Sequence, residues 1–248
     1  MSLIKAENIC KAYSEDFSLK DISFDICDKG IYGFLGKRGA GNTSLAKVLA
    51  GVSDIDSGRL LYKDVELHRD TKQGTLIKKK IGYVPEKPIF DSGVTAFEIL
   101  DLIGKSKKIE PDKRYRQIKE ALELTGLSLK SEVLTEHLEL HEKKRLSMAA
   151  SLLGNPEVII WDEPLRFLDS RQAEEIKKIA SMLKSRKVVL VFSADPCAIE
   201  ELCDSIAIMS QGEIALWKSK EELLSVLEEN ELGVLSDALE AFSCEVEE

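Results

Sequence analysis

The stretch GKRGAGNTS, Gly36 to Ser44, joins an apolar run to a helical one and spaces its glycines as a phosphate-wrapping loop does: Gly36, four residues, Gly41, one further position, then Thr43. Glycine lets successive backbone N–H groups turn inward around an anion, and the positive end of the following helix adds to them. Thr43 offers a hydroxyl to Mg²⁺. Such a loop carries a lysine between its last glycine and the threonine, and here that position is Asn42. Taken alone, a glycine turn without the lysine is equally compatible with a tight strand-to-helix turn. A second element narrows the choice. Val158–Pro164 reads VIIWDEP, an apolar run ending in Asp162 and Glu163. The first carboxylate can hold a metal ion through water, and the second can act as general base toward an attacking water.

Positioning these groups requires a strand, a turn and a helix, and the apolar pattern supplies them. Leu3–Ile9 and Ile22–Ile26 alternate apolar and polar residues as half-buried strands do. Ile31–Leu35 is an apolar run that ends in the glycine loop, and a helix is predicted over Thr43–Ala50. Short strands are predicted at Gly58–Tyr62 and Lys80–Val84. From Thr95 to Gly154 the period is helical, clearest in Ala96–Ile103, Arg114–Leu124 and Glu142–Leu153. Strand signals return at Val158–Trp161, whose unbroken apolar run marks burial on both faces. Further strands are predicted at Val188–Phe192, Ser205–Met209 and Glu213–Trp217, with helices over Arg171–Leu183 and Cys197–Leu202. Helices Lys220–Glu229 and Leu235–Phe242 close the chain. The predicted class is α/β, one domain over 1–248 with an N-terminal antiparallel sheet. A helical insert spans about 87–155, and an acidic helical tail about 219–248.

The 248 residues are 44% hydrophobic and 32% charged, as in ordinary globular proteins. The net charge of −9 is concentrated: residues 211–248 hold eleven acids against Lys218 and Lys220, leaving the rest neutral. That balance argues against a nucleic-acid binder. The tail reads as a solvated helical face rather than an acidic interaction arm. Cysteines 10, 27, 197, 203 and 244 contain no C-x-x-C pair, and His68, His137 and His141 form no metal pattern. Reduced thiols in a cytosolic protein are the expectation. No apolar run reaches the ~18 residues of a membrane span, and MSLIKAENIC lacks the pattern of a secretory signal.

Across essentially its full length the chain resembles the nucleotide-binding subunit of ABC transporters. AENICKAYSEDFSLKDISFDICDKGIYGFLGKRGAGNTSL is similar to that family's opening, with Tyr13 where an aromatic stacks on adenine. IGYVPEKPIFDSGVTAFEIL is similar to its Q-loop and the start of its helical subdomain. LELHEKKRLSMAASLLGNPEVIIWDEP keeps the register from signature to Walker B, Leu168-Asp169 matches the D-loop, and VVLVFSADPCAIEELCDSIAIMSQGEI matches the switch region and final hairpin. The resemblance implies a P-loop NTPase of the ABC ATPase type: a RecA-like core, an N-terminal antiparallel β-subdomain and an inserted α-helical subdomain. It implies ATP and Mg²⁺ as ligands. Around the nucleotide it places Tyr13, Gly36, Lys37, Arg38, Gly39, Ala40, Gly41, Asn42, Thr43 and Ser44. Around the metal it places Thr43, Asp162 and Glu86, and in the catalytic positions Glu163 and Glu86.

Several positions depart from the family pattern. Asn42 replaces the P-loop lysine, Glu86 the Q-loop glutamine and Ala194 the switch histidine. The signature Leu-Ser-Gly-Gly-Gln reads Leu138-Glu139-Leu140-His141-Glu142. Phosphoryl transfer is catalysed chiefly by positioned charge, so weak or absent hydrolysis and reduced ATP and Mg²⁺ binding are expected. In this family the signature faces a partner's nucleotide, where Glu139 and Glu142 would bring carboxylates. A heterodimer with a second, intact ATP-binding subunit is therefore expected over a homodimer. A separate transmembrane subunit is implied too, placing the chain in the cytoplasm, peripheral on the inner face of the cell membrane. Two alternatives stand: a working ATPase energising transport with Glu163 as base and Lys37 as cation, and a soluble regulatory binding module without a transporter.

Overall fold

A computed structural model describes residues 1–13, 17–68, 71–229 and 235–244. The chain opens with β1 (Ile4–Ala12), β2 (Ser18–Ile26) and β3 (Gly30–Gly36), then the glycine loop and α1 (Asn42–Leu49). β4 (Ser57–Tyr62), β5 (Val65–Glu66), α2 (Lys72–Lys78) and β6 (Ile81–Val84) follow. Three helices come next: α3 (Ala96–Ser106), α4 (Pro111–Leu124) and α5 (Leu140–Leu152). β7 (Val158–Asp162), α6 (Ser170–Lys184), β8 (Val188–Ser193), α7 (Pro196–Leu202) and β9 (Ser205–Ser210) then alternate. β10 (Glu213–Ser219), α8 (Lys220–Glu229) and α9 (Leu235–Cys244) are the last described elements, and residues 230–234 and 245–248 of the expected acidic tail lie outside the described residues.

Two sheets result. The first has the order β2-β1-β4-β5 and is antiparallel. The second has the order β10-β9-β3-β8-β7-β6, parallel except for the β10–β9 edge. β7 shows why its sequence lacks a polar face. Val158 and Ile160 join Phe34, Leu45 and Phe192 in the core shared with the antiparallel sheet. Ile159 and Trp161 join Ile176, Leu183 and Ile199 beneath α6 and α7. Both faces are covered, so alternation between two cores replaces alternation between core and water. α3, α4 and α5 close around an apolar cluster of their own, including Leu100, Ile118, Leu122 and Leu146.

The start of α3 is fixed locally. Thr95 Oγ1 accepts from Glu98 N at 3.1 Å, and Glu98 Oε2 accepts from Thr95 N at 2.8 Å. Such a reciprocal cap contributes about 1 kcal/mol. Two features differ from the sequence expectation. β1 and β2 are longer than predicted, because their register shifts between Ala6 and Ile9 and between Ile9 and Lys11, with Asn8 at φ 48. These bulges interrupt the alternation that marks a strand. α2 was not predicted at all; its start rests on Thr71 Oγ1 accepting from Gly74 N at 2.9 Å. Among the described residues, no helix is long and apolar enough to cross a membrane.

Candidate functional site

Gly36, Asp162 and Ser193 end β3, β7 and β8. The pairings Leu35 with Ser193 and Asp162 with Phe192 bring those strands' carboxyl ends together at one end of the sheet, where open α/β sheets bind ligands. A side chain at Gly36 has no room, since a Cβ would meet Ala40, Asn42 and Met209 at 2.9 Å. Gly41, at φ 114, turns the chain into α1 in a conformation that favours glycine. A cavity of about 520 Å³ lies over the loop, its wall including Lys37, Arg38, Thr43, Glu86, Glu163 and Arg166.

Asn42 faces away from the role its position implies. Its Nδ2 donates to Gly36 O at 3.1 Å and to Ser193 O at 3.0 Å, tying the loop to the end of β8. Two carbonyl acceptors fix which amide atom is nitrogen. Oδ1 is left buried without a hydrogen-bond partner. The position thus supplies neither a cation nor a free donor to a phosphate.

Thr43 and Asp162 do meet. Thr43 Oγ1 donates to Asp162 Oδ1 at 3.1 Å. Burial pushes the Asp162 carboxyl up to about 6; Glu163 and Glu86 add to this, while the Thr43 hydroxyl opposes it. A buried carboxylate of raised pKa beside a hydroxyl suits a phosphate-bound Mg²⁺, which would neutralise it. Proton and metal then compete for one site. Mg²⁺-dependent nucleotide affinity is expected to be flat above neutrality and to fall as pH drops through about 6. The limiting slope is about tenfold per pH unit. A titration from pH 5 to 8 with and without Mg²⁺ checks this, and the loss belongs only to the Mg²⁺ series.

Glu163 adopts φ 51, a left-handed backbone that is unfavourable for a non-glycine residue and recurs at functional sites. Its side chain crosses to β8, where Oε2 accepts from Ser193 Oγ and Oε1 from Ala194 N, both at 2.9 Å. The turn is propped by Lys144 of α5. The Lys144 Nζ donates to Glu163 O at 2.6 Å and to Pro164 O at 3.3 Å. Glu86 forms an ion pair with Arg166, so a cation already occupies the carboxylate assigned to the metal. Lys144, Ser193 and Arg166 were not singled out from the sequence. Arg166 lies in the DEPLRFLD run just after the two acids, which was a signal; Lys144 looked like an ordinary helix charge.

Tyr13 stands beside the loop, its hydroxyl donating to Ser44 O at 3.2 Å and the residue 42% exposed. Phe17 is the aromatic that walls the cavity. The signature segment differs from expectation in one respect. Glu142 points inward: it is buried, ion-paired with Lys130, and its Oε2 accepts from Glu139 N at 3.1 Å. Burial raises its pKa, but the Lys130 and Glu139 hydrogen bonds outweigh that and hold it below the usual range. Of the segment's two carboxylates Glu139 is the exposed one, 3.3 Å from His141 Nδ1. Asp169 caps α6, its Oδ1 accepting from Gln172 N at 2.8 Å.

A glycine loop at a strand end, a threonine–aspartate pair and a cavity above them define a P-loop nucleotide-binding protein. The family model described as "ABC transporter" matches residues 19–166. An uncharacterized ABC transporter ATP-binding protein from Synechocystis is 34% identical over 236 residues, covering 90% of this chain and 64% of that protein. The uncharacterized ABC transporter ATP-binding protein YxlF of Bacillus subtilis is 30% identical over 234 residues, covering 94% of this chain and 76% of that protein. The solved ATP-binding cassette MJ0796, described as a dimer in a post-hydrolysis state bound to ADP and Pi, is similar in fold. Its TM-score is 0.78 at 22% identity, covering 87% of this chain and 98% of that one. The chain belongs to the ABC transporter family and corresponds to its ATP-binding component. It spans less than two-thirds of the Synechocystis protein, at 64% of its length.

Proposed function

We propose that the chain serves as the ATP-binding subunit of an ABC-type membrane transporter, holding nucleotide while hydrolysing it weakly or not at all. The observation that carries this reading is the Asn42 amide, which is spent on Gly36 O and Ser193 O beneath the cavity. Thr43 and Asp162 would hold Mg²⁺, and the loop amides would wrap the phosphates. Bound Mg²⁺ would supply charge neutralisation to the β- and γ-phosphates. Glu163 is the base candidate, but both its oxygens are engaged by Ser193 and Ala194 N–H. Ala194 offers only a methyl where the γ-phosphate needs a donor. Losing one positioned donor commonly lowers a rate by ~10²–10³, and these losses act as a unit rather than multiplying.

The start of α5 supports pairing with a different subunit. The Glu139 N–H is already taken by the Glu142 carboxylate, and Glu139 itself presents negative charge. A partner's ATP capped by this segment would meet repulsion. The dimeric state described for MJ0796 is consistent with a two-cassette assembly, here a heterodimer on a separate transmembrane subunit at the inner membrane face. A second reading, slow turnover with substitute cations, draws on Lys37, Arg38 and Arg166 lining the cavity.

An ATP titration with and without Mg²⁺, followed by phosphate-release measurements alone and with a co-purified ATP-binding partner, tests the proposal. Binding strengthened by Mg²⁺, with release at least ~10²-fold below an intact cassette, is the expected outcome. No binding at any concentration overturns it. Turnover abolished by Lys37→Ala favours the second reading.

A further inference from the structure

At the opposite end of the parallel sheet from the phosphate loop, where β6 and β7 begin, lies a groove of about 1050 Å³. Its walls come from α2 and the turn after it, from the turn joining α3 to α4, and from the first turn of α4. Among the described residues that line it, seven are lysines, two are glutamates and none is arginine. Lys63 is matched by Glu157 at 2.7 Å. Lys72, Lys79, Lys80, Lys108 and Lys113 make no ion pair among the described residues. Lys107 Nζ donates to Leu153 O at 2.7 Å, and burial together with nearby Lys80 pushes it down to about 8. Lys108 is held at φ 59, unfavourable for a lysine, in the turn that brings both residues to the groove.

Because the residues before 211 are neutral in sum, this is a strong local concentration of positive charge. Crowded like charges raise the energy of the folded state and attract a counter-ion. Lysine ammoniums act as point charges suited to phosphate, whereas a carboxylate-specific site would use the planar arginine fork. The groove also has an apolar part. Leu76 is 64% exposed there, beside the half-buried Ile77 and Ile109. Its volume is just above the roughly 300–1,000 Å³ of small-molecule sites.

We propose that this groove binds a phosphorylated amphiphile, its phosphate against the lysines and its apolar body on Leu76, Ile77 and Ile109. A lipid drawn from a bilayer and a free phosphorylated metabolite share that chemistry. The test is a calorimetric titration of the full chain with dihexanoyl phosphatidic acid below its micelle concentration. Parallel arms use tripolyphosphate and co-sedimentation with phosphatidylglycerol vesicles. One-to-one binding that weakens with salt is expected. It should fall at least tenfold in Lys72→Glu/Lys113→Glu, two exposed positions, with unchanged melting temperature, and also in Leu76→Asp. Thr43→Ala should leave it intact, separating the groove from the nucleotide cavity whatever the fate of the ATP-binding reading. Vesicle binding lost in the double variant assigns a lipid source; soluble binding without vesicle binding assigns a metabolite. Absence of binding to the short-chain lipid, affinity retained in the double variant, or tripolyphosphate binding as tightly and insensitively to Leu76→Asp overturns the proposal.

Discussion

Asn42→Lys is expected to raise Mg²⁺–ATP affinity by tenfold or more. A hydrogen bond to a charged group is worth about 1.5–3 kcal/mol, and each 1.4 kcal/mol is a factor of ten in affinity. The present side chain contributes nothing of that kind, because its amide donates to Gly36 O and Ser193 O. The same substitution gives up those two bonds, so a drop of about 1–2 kcal/mol in stability should accompany the gain. Phosphate release should stay low, since Ala194 and the Glu163 contacts are unaltered. Nucleotide titration of the two proteins side by side checks the gain. Unchanged affinity would mean that the phosphates do not approach residue 42.

The second large effect is expected at a residue outside every recognisable motif. Lys144→Met should lower stability by about 2 kcal/mol. Lys144 is 1% exposed, and its ammonium serves the Glu163 and Pro164 carbonyls. Removing it orphans two acceptors at about 1–3 kcal/mol each, partly offset by the relief of a buried cation. Burial pushes that ammonium down to about 8, the mark of the offsetting penalty. For a chain of this size about 2 kcal/mol lowers the melting temperature by roughly 4–8 °C. Thermal unfolding measures it, and a shift below about 1 °C would show that the Glu163 turn holds without its prop.

The contrast between these two residues marks what the sequence reveals. Asn42 is legible because the glycine loop around it has a fixed spacing and a fixed chemical demand. β7 is legible because burial on both faces leaves an unbroken apolar run. Lys144 is hidden within EKKR, where four adjacent charges read as a solvated helix face and only the packing of α5 shows that Lys144, like Glu142, is enclosed. The Glu86–Arg166 ion pair joins residues brought together by the fold, not by any local pattern. Glu142 misleads for a related reason. As a residue type it suggests outward charge, yet as the third residue of α5 it folds back onto Glu139 N and meets Lys130. β1 is blurred by its bulges, and α2 is too short to show a period.

On the proposed reading the scaffold keeps a phosphate loop and a threonine–aspartate pair able to hold Mg²⁺, while Asn42 and Ala194 bring neither a cation nor a side-chain donor to the terminal phosphate. Phosphate release by the purified chain at saturating Mg²⁺–ATP, compared with Glu163→Gln, probes this most directly. The account predicts background rates that do not differ between the two proteins. Brisk release that disappears in Glu163→Gln would contradict it.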